Sequence, residues 1–261
     1  MIRPRIIPCL LLKGHGFVKT KKFRDSVYLG DPINIVRIFN EKEVDEITIL
    51  DIEATLHGSV PAFDFLRQIA TECFVPLAYG GGVRSVEDAR TLFRAGFEKV
   101  CVNTLAQENP SVVKAMADRF GSQSIVASID VKRGWLGRYE VFTHSGTQGT
   151  GIDPVEAACR VVEHGAGEIL LTSIDRDGTY QGYDLELVRR VTAAVNVPVI
   201  ASGGAARAKD LVDVIQVAGA AAAAAGSLFV FHGPLHAVLI NMPSTQELNA
   251  LALEQKQEKK R

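Results

Sequence analysis

Ile7-Pro8-Cys9-Leu10-Leu11-Leu12-Lys13 and Val126-Ala127-Ser128-Ile129-Asp130-Val131-Lys132 read as two versions of one buried strand, offset by 119 from Lys13 to Lys132. The pairing extends outward from there. At an offset of 122, Glu46-Ile47 matches Glu168-Ile169, Val75-Pro76 matches Val197-Pro198, and Gly81-Gly82 matches Gly203-Gly204. At 123, Ala95-Gly96 matches Ala218-Gly219, and Asn103-Thr104 falls on Gly226-Ser227. A unit this long is a duplicated half of one domain, not a short solenoid repeat. The copies place Leu11 and Asp130 at equivalent strand ends facing one cleft. A carboxyl group there can transfer a proton; leucine cannot.

Short apolar runs alternate with helix-length amphipathic segments along the whole chain. The strand candidates are 6–12, 46–52, 76–79, 99–102, 124–130, 169–174, 199–202 and 221–225. They are rich in Val, Ile, Leu and Ala without clean alternation, as parallel strands buried on both faces are. Helix patterns lie between them at 32–43, 62–72, 85–95, 110–120, 154–164, 184–194 and 208–218. Asp31-Pro32, Asn109-Pro110 and Asp153-Pro154 each put a capping residue before a proline at the first helical position. Eight strands alternating with helices in two similar halves predict an α/β fold, a (β/α)8 TIM barrel occupying residues 1–243, with half-barrels of about 1–120 and 121–243. The stretch 133–149 is polar and glycine-punctuated around Tyr139-Glu140-Val141-Phe142, and reads as a hairpin excursion with Trp135 at its tip. Residues 244–261 form a polar C-terminal tail, of which 254–261 reads as a frayed helix end or a disordered segment.

Composition narrows the function classes. With 261 residues, 47% hydrophobic and 23% charged, the chain is an ordinary soluble globular sequence. A formal net charge of −1 supplies no general attraction to nucleic acid or to an anionic membrane. No apolar run is long enough to span a bilayer, and Arg3 and Arg5 lead straight into a strand without a signal peptide. Cys9, Cys73, Cys101 and Cys159 are widely spaced with no C-x-x-C pair, so they read as small buried residues in a reducing cytoplasm. No metal and no cofactor is expected.

Active sites of such barrels lie at the carboxyl ends of the strands. There Gly81-Gly82 and Asn103-Thr104 in the first half answer Gly203-Gly204 and Gly226-Ser227 in the second. Glycines let backbone N–H groups approach an anion closely, and two such sets across a barrel mouth suit a ligand with a phosphate at each end. A glycine pair alone would read as a tight turn; duplication in register favours phosphate binding.

The segments Ile6-Ile7-Pro8-Cys9-Leu10, Gly80-Gly81-Gly82, Val102-Asn103-Thr104, Phe120-Gly121-Ser122-Gln123, the run from Gly165 to Gly178 ending in Asp175-Arg176-Asp177-Gly178, and Ile200-Ala201-Ser202-Gly203-Gly204-Ala205 carry a resemblance. From Arg5 to about Phe231 the chain resembles the cyclase subunit of imidazole glycerol phosphate synthase, a lyase-type enzyme of histidine biosynthesis. The resemblance implies a barrel that receives ammonia from a class I glutaminase partner and closes an imidazole ring on a bis-phosphorylated substrate. It implies ligand contacts at Asp177 and Gly178 beside the glycine sets, and two aspartates as general acid and base. The second aspartate falls on Asp130; the first falls on Leu11. Loss of a positioned acid or base costs on the order of 10² to 10⁴ in rate. Asp51 and Asp177 are the two carboxylates close enough in sequence to strand ends to be weighed as substitutes. The family's ammonia gate maps onto Arg5, Glu46, Lys99 and Glu168, with every charge retained, and Glu98 falls where the family meets its glutaminase. The alternative reading of the four charges is a structural salt-bridge layer.

The first loop, from Lys13 to Phe23, keeps Lys19 but places Thr20 where the family has glycine. His15 reads as an exposed loop residue; His144 reads equally as a cleft contact or a loop residue. With Leu11, these departures resemble a divergent second copy of the subunit, found beside bacterial surface-polysaccharide genes with its own glutaminase and an N-acetyl sugar amidotransferase. That resemblance implies an ammonia-channelling heterodimer serving acetamidino-sugar formation in lipopolysaccharide O-antigen synthesis. An authentic histidine-pathway cyclase and a non-channelling scaffold that activates the glutaminase stand as alternatives.

Overall fold

A computed structural model describes residues 5–134 and 136–258, so the expectation for Trp135 and for the last three residues lies outside the described residues. Eight parallel strands form the barrel: β1 (Arg5–Lys13), β2 (Ile47–Asp51), β3 (Leu77–Gly80), β4 (Lys99–Val102), β5 (Ile125–Arg133), β6 (Glu168–Ser173), β7 (Val199–Ser202) and β8 (Ala222–Ala225). Each pairs with the next, and β8 returns to β1 through Arg5↔Ala222 and Ile7↔Ala224, which closes the sheet and leaves no barrel edge. Helices α1 (Pro32–Glu41), α2 (Phe63–Thr71), α3 (Val86–Ala95), α4 (Pro110–Phe120), α5 (Pro154–Glu163), α6 (Leu185–Thr192), α7 (Ala208–Ala218) and α8 (Thr245–Glu258) surround it. The fold is the TIM barrel that the repeat and the alternation predict.

Duplication is visible in the strand register. Leu11 pairs with Leu50 on β2, and Asp130 pairs with Thr172 on β6, so the sequence repeat is a repeat of hydrogen-bonded neighbours. Both first strands also carry an antiparallel excursion. Leu11 faces Val18 in a hairpin of strands Gly16–Lys21 and Arg24–Gly30, and Asp130 faces Phe142 in the strand Tyr139–Thr143. The second excursion was legible in the sequence. The first, read as a loop, is a correction: Phe17-Val18-Lys19-Thr20 is extended and buried over the mouth.

Helix starts follow their caps. Asp31 accepts from the Asn34 N–H and Asp153 from the Val155 N–H, each with proline at the first position. Asn109 departs from that expectation, because its amide oxygen accepts from the Ser111 hydroxyl at 2.7 Å and makes no cap to α4. The region read as a polar tail contains α8, which packs on α7 with Gln216 Nε2 donating to the Ala252 carbonyl at 3.2 Å.

The core has two layers. Between strands and helices lies the main cluster, including Leu10, Phe39, Ile49 and Leu66, all nearly free of solvent. A smaller cluster fills the barrel axis with Ile7, Cys9, Ala78, Cys101, Val126 and Leu170, alternating in period two with the outward positions. That axial layer separates a charged floor from a polar mouth.

Candidate functional site

At the carboxyl ends of the strands the βα loops enclose a cavity of about 550 Å³. Its wall includes Leu11 and Asp130 together with Gly81, Gly82, Asn103, Thr104, Asp177, Gly178, Gly203, Gly204, Gly226 and Ser227. Every mouth residue singled out from the sequence therefore meets in one space. His144 lies in the same wall, whereas His15 sits outside it, exposed and edge-on to Phe65 at 4.7 Å.

The glycine pairs are required by packing. A Cβ on Gly81 would lie 2.5 Å from the Asp51 carbonyl oxygen, and one on Gly203 would lie 2.6 Å from that of Ser173, the repeat-equivalent residue. Both glycines have positive φ, 121° and 91°. The turns are thus the same object in each half, and they bring backbone close to the cavity. Asn103 and Thr104 have committed most of their polar groups within the protein. Asn103 Nδ2 donates to the Ser128 carbonyl at 3.1 Å and, at 3.3 Å each, to Asp130 Oδ2 and the Phe142 carbonyl. The Thr104 hydroxyl accepts from the His144 N–H at 3.0 Å.

Asp130 is buried beneath this loop layer. Ser128 Oγ lies at 3.5 Å from its Oδ1, and Thr172 and Ser202 sit beside it at the same level on β6 and β7. Burial raises its carboxyl to about 7, opposed by hydrogen bonds from Thr172 and Ser128. Across the cavity the repeat-equivalent positions are Leu11 and Leu50. The floor of the cavity is consequently polar on one side and apolar on the other.

Both carboxylates weighed as substitutes for position 11 line the same cavity, and each is engaged by its neighbours. Lys19 Nζ holds Asp177 by both oxygens at 2.8 and 2.9 Å, with Thr20 Oγ1 at 3.4 Å, and lysine and aspartate are both buried. That pair engages both Asp177 carboxylate oxygens. Asp51 Oδ1 accepts from the Glu53 and Ala54 N–H groups, both at 2.9 Å, which ties it to the turn after β2. The Lys19–Asp177 pair joins residues 158 apart in sequence and had no local signal. Arg24, at the start of the strand Arg24–Gly30, and Arg84, just before α3, also lie in the wall; neither belongs to a motif that the sequence singled out.

At the opposite end Arg5, Glu46, Lys99 and Glu168 form a closed ring. Glu46 accepts from Arg5 at 3.0 Å and from Lys99 at 2.7 Å; Glu168 accepts from Lys99 at 2.7 Å and from Arg5 through its other oxygen. Glu46 and Glu168 are buried, and Arg5 and Lys99 reach them from partly exposed positions. Burial raises the Glu46 carboxyl, against the pull of Lys99. Its Oε1 is buried with no hydrogen-bond partner among the described residues. Glu98 is exposed on the rim beside the ring.

Among the described residues no cluster of three or more His, Cys, Asp or Glu is placed to hold a metal ion. Nor is any helix long and apolar enough to cross a membrane.

Residues 5–235 match the family described as histidine biosynthesis protein. A Pseudomonas aeruginosa protein named "Putative imidazole glycerol phosphate synthase subunit hisF2" is 49% identical over 249 residues, covering 95% of this chain and 99% of the relative. A Leptospira interrogans protein named "Putative imidazole glycerol phosphate synthase subunit HisF" is 49% identical over 252 residues, covering 96% and 99%. The "Imidazole glycerol phosphate synthase subunit HisF" of Alkaliphilus metalliredigens is 47% identical over 232 residues, covering 89% and 92%. With the closed barrel and its duplicated halves, these matches place the chain in the histidine biosynthesis protein family, among its HisF-like synthase subunits.

Proposed function

We propose that this chain is the ammonia-conducting subunit of a glutamine-dependent amidotransferase system. A class I glutaminase docks on the amino-terminal face around Arg5, Glu46, Glu98, Lys99 and Glu168. Ammonia passes the charged ring, follows the apolar axis and leaves at the carboxyl-end mouth. An N-acetyl sugar amidotransferase receives it there and converts an acetamido group to an acetamidino group for lipopolysaccharide O-antigen. The single observation that carries this reading is the contrast between the two ends: the ring is complete, while Leu11 faces Asp130 where a paired acid and base need two ionisable groups.

Two features of the amino-terminal face support a docked partner. Phe74 is 85% exposed in the turn before β3, and aromatic residues are enriched at protein interfaces relative to the rest of the surface. Glu98 adds an exposed acidic group beside the ring. The axis supports passage of a neutral molecule, because apolar walls exclude water and so keep ammonia from protonation.

A second reading, an authentic cyclase, draws on the cavity and on Asp130. Against it stands Leu11, with Asp177 held by Lys19 and Asp51 Oδ1 held by the turn after β2. The two readings part on one assay. The purified chain supplied with ammonium salts and the family's bis-phosphorylated ribonucleotide is expected to form no imidazole glycerol phosphate. Ready product formation would establish the cyclase instead. A non-channelling scaffold would bind the glutaminase and raise glutamine hydrolysis without delivering nitrogen.

A further inference from the structure

Where the apolar axis opens into the cavity, one buried carboxyl group waits without a cation. Asp130 is 8% exposed, and no lysine, arginine or histidine among the described residues comes within salt-bridge distance of it. Its neighbours are neutral oxygen and amide groups: Ser128 Oγ at 3.5 Å, Asn103 Nδ2 at 3.3 Å, and Thr172 as its register partner on β6. Ser202 continues the row as the register partner of Thr172. Beneath them the axial layer of Cys9, Cys101 and Leu170 offers no polar group that competes.

The charged groups that face Asp130 leave its place for a cation open. From β1 the titratable neighbour is Cys9, buried and pushed up to about 12, and therefore a neutral thiol. Asp177 approaches from the loop after β6, and its charge is already matched by Lys19. Lys132, two residues along β5, turns away to the Gly146 carbonyl and lies over the Phe142 ring at 4.1 Å. A buried carboxylate ringed by hydroxyls is costly alone and is stabilised by a small cation that donates several hydrogen bonds.

We propose that the Asp130 row, with Ser128, Thr172 and Ser202, is a binding site for ammonium, formed when ammonia arrives from the axis and takes the carboxyl proton. The step balances as a proton transfer. The lone pair of ammonia forms an N–H bond to the Asp130 proton, the O–H electron pair stays on the carboxylate, and ammonium remains against it. On departure the proton returns to Asp130 and neutral ammonia leaves. The carboxyl titrates near 7, so both of its forms are populated at neutral pH. Ammonium has four directed N–H donors for the two carboxylate oxygens and the hydroxyl lone pairs, whereas potassium and sodium would meet the same oxygens by undirected coordination, so the comparison of salts is what measures the preference. The ion's route of arrival rests on the proposed conduit, but its binding does not.

The test is a carboxyl-carbon NMR titration of the full chain, run at equal ionic strength in ammonium, potassium or tetramethylammonium chloride. The Asp130 resonance is identified by its loss in Asp130→Asn, or by its displacement in Thr172→Val should the first variant not fold. Binding to the ionised form must lower its midpoint by linkage, and a tenfold preference for that form corresponds to about one pH unit. We expect a fall of about one unit or more in ammonium alone. Equal midpoints in the three salts, or an equal fall in potassium, would overturn the site. Because the experiment uses the isolated chain, a positive result stands even if nitrogen transfer fails to depend on the charged ring, and a negative one leaves the conduit to be judged on its own assay.

Discussion

Asp130 carries a thermodynamic signature. Its folded-state carboxyl lies near 7, whereas an unfolded aspartate titrates near ~3.9. Between these values the folded chain holds a proton that the unfolded chain has released, so stability falls as pH rises through that window and is level above it. Asp130→Asn removes the titration while keeping the shape and most hydrogen bonds. The variant should gain on the wild type by on the order of 3 kcal/mol between pH 5 and pH 8. Urea denaturation at the two pH values measures this directly, and a difference that does not change with pH would show that Asp130 ionises freely in the fold. Leu11 raises no such cost, since it packs between Leu50 and Val18. The sequence disclosed this residue pair because the repeat aligns them. It did not disclose that Asp177 would be bound by Lys19, since that contact is made by two loops folding over one mouth.

Elements explain why some parts of the fold were legible and others were not. The strands and helices carry their own periodicity, and caps such as Asp31 and Asp153 mark starts within a residue or so. The hairpin of Gly16–Lys21 and Arg24–Gly30 was misread as a loop because its turn holds Lys22 and Phe23 at positive φ, 53° and 61°, without the glycine or asparagine that signals such a turn. Helix α8 was obscured by its weakly segregated face, and it packs against α7. Strand β3 supports a second prediction. Tyr79 is fully buried against Phe97, ring centroids 5.6 Å apart, and its hydroxyl has no partner among the described residues. An unsatisfied buried hydroxyl costs about 1–3 kcal/mol. Tyr79→Phe should therefore stabilise the barrel by roughly 1 kcal/mol, raising Tm by about 2–4 °C. A lowered Tm in calorimetry would mean the hydroxyl is bonded in solution.

The whole molecule is a tube with unlike ends, and its central claim concerns what joins them. The four-residue ring at the amino-terminal end was readable as charges at strand starts, but only the closed barrel brings Arg5 and Lys99 onto both glutamates. Removing Lys99 leaves two buried carboxylates sharing Arg5, at a cost of commonly ~3–5 kcal/mol, which a core built from two full layers can absorb. The most direct measurement is the yield of transferred nitrogen per glutamine hydrolysed, for wild type and Lys99→Ala, reconstituted with glutaminase and the sugar amidotransferase at limiting external ammonia. The account predicts that Lys99→Ala still folds and binds the glutaminase but delivers a markedly smaller fraction of the nitrogen. An unchanged ratio in a folded, complexed variant would contradict it and leave the barrel as a scaffold.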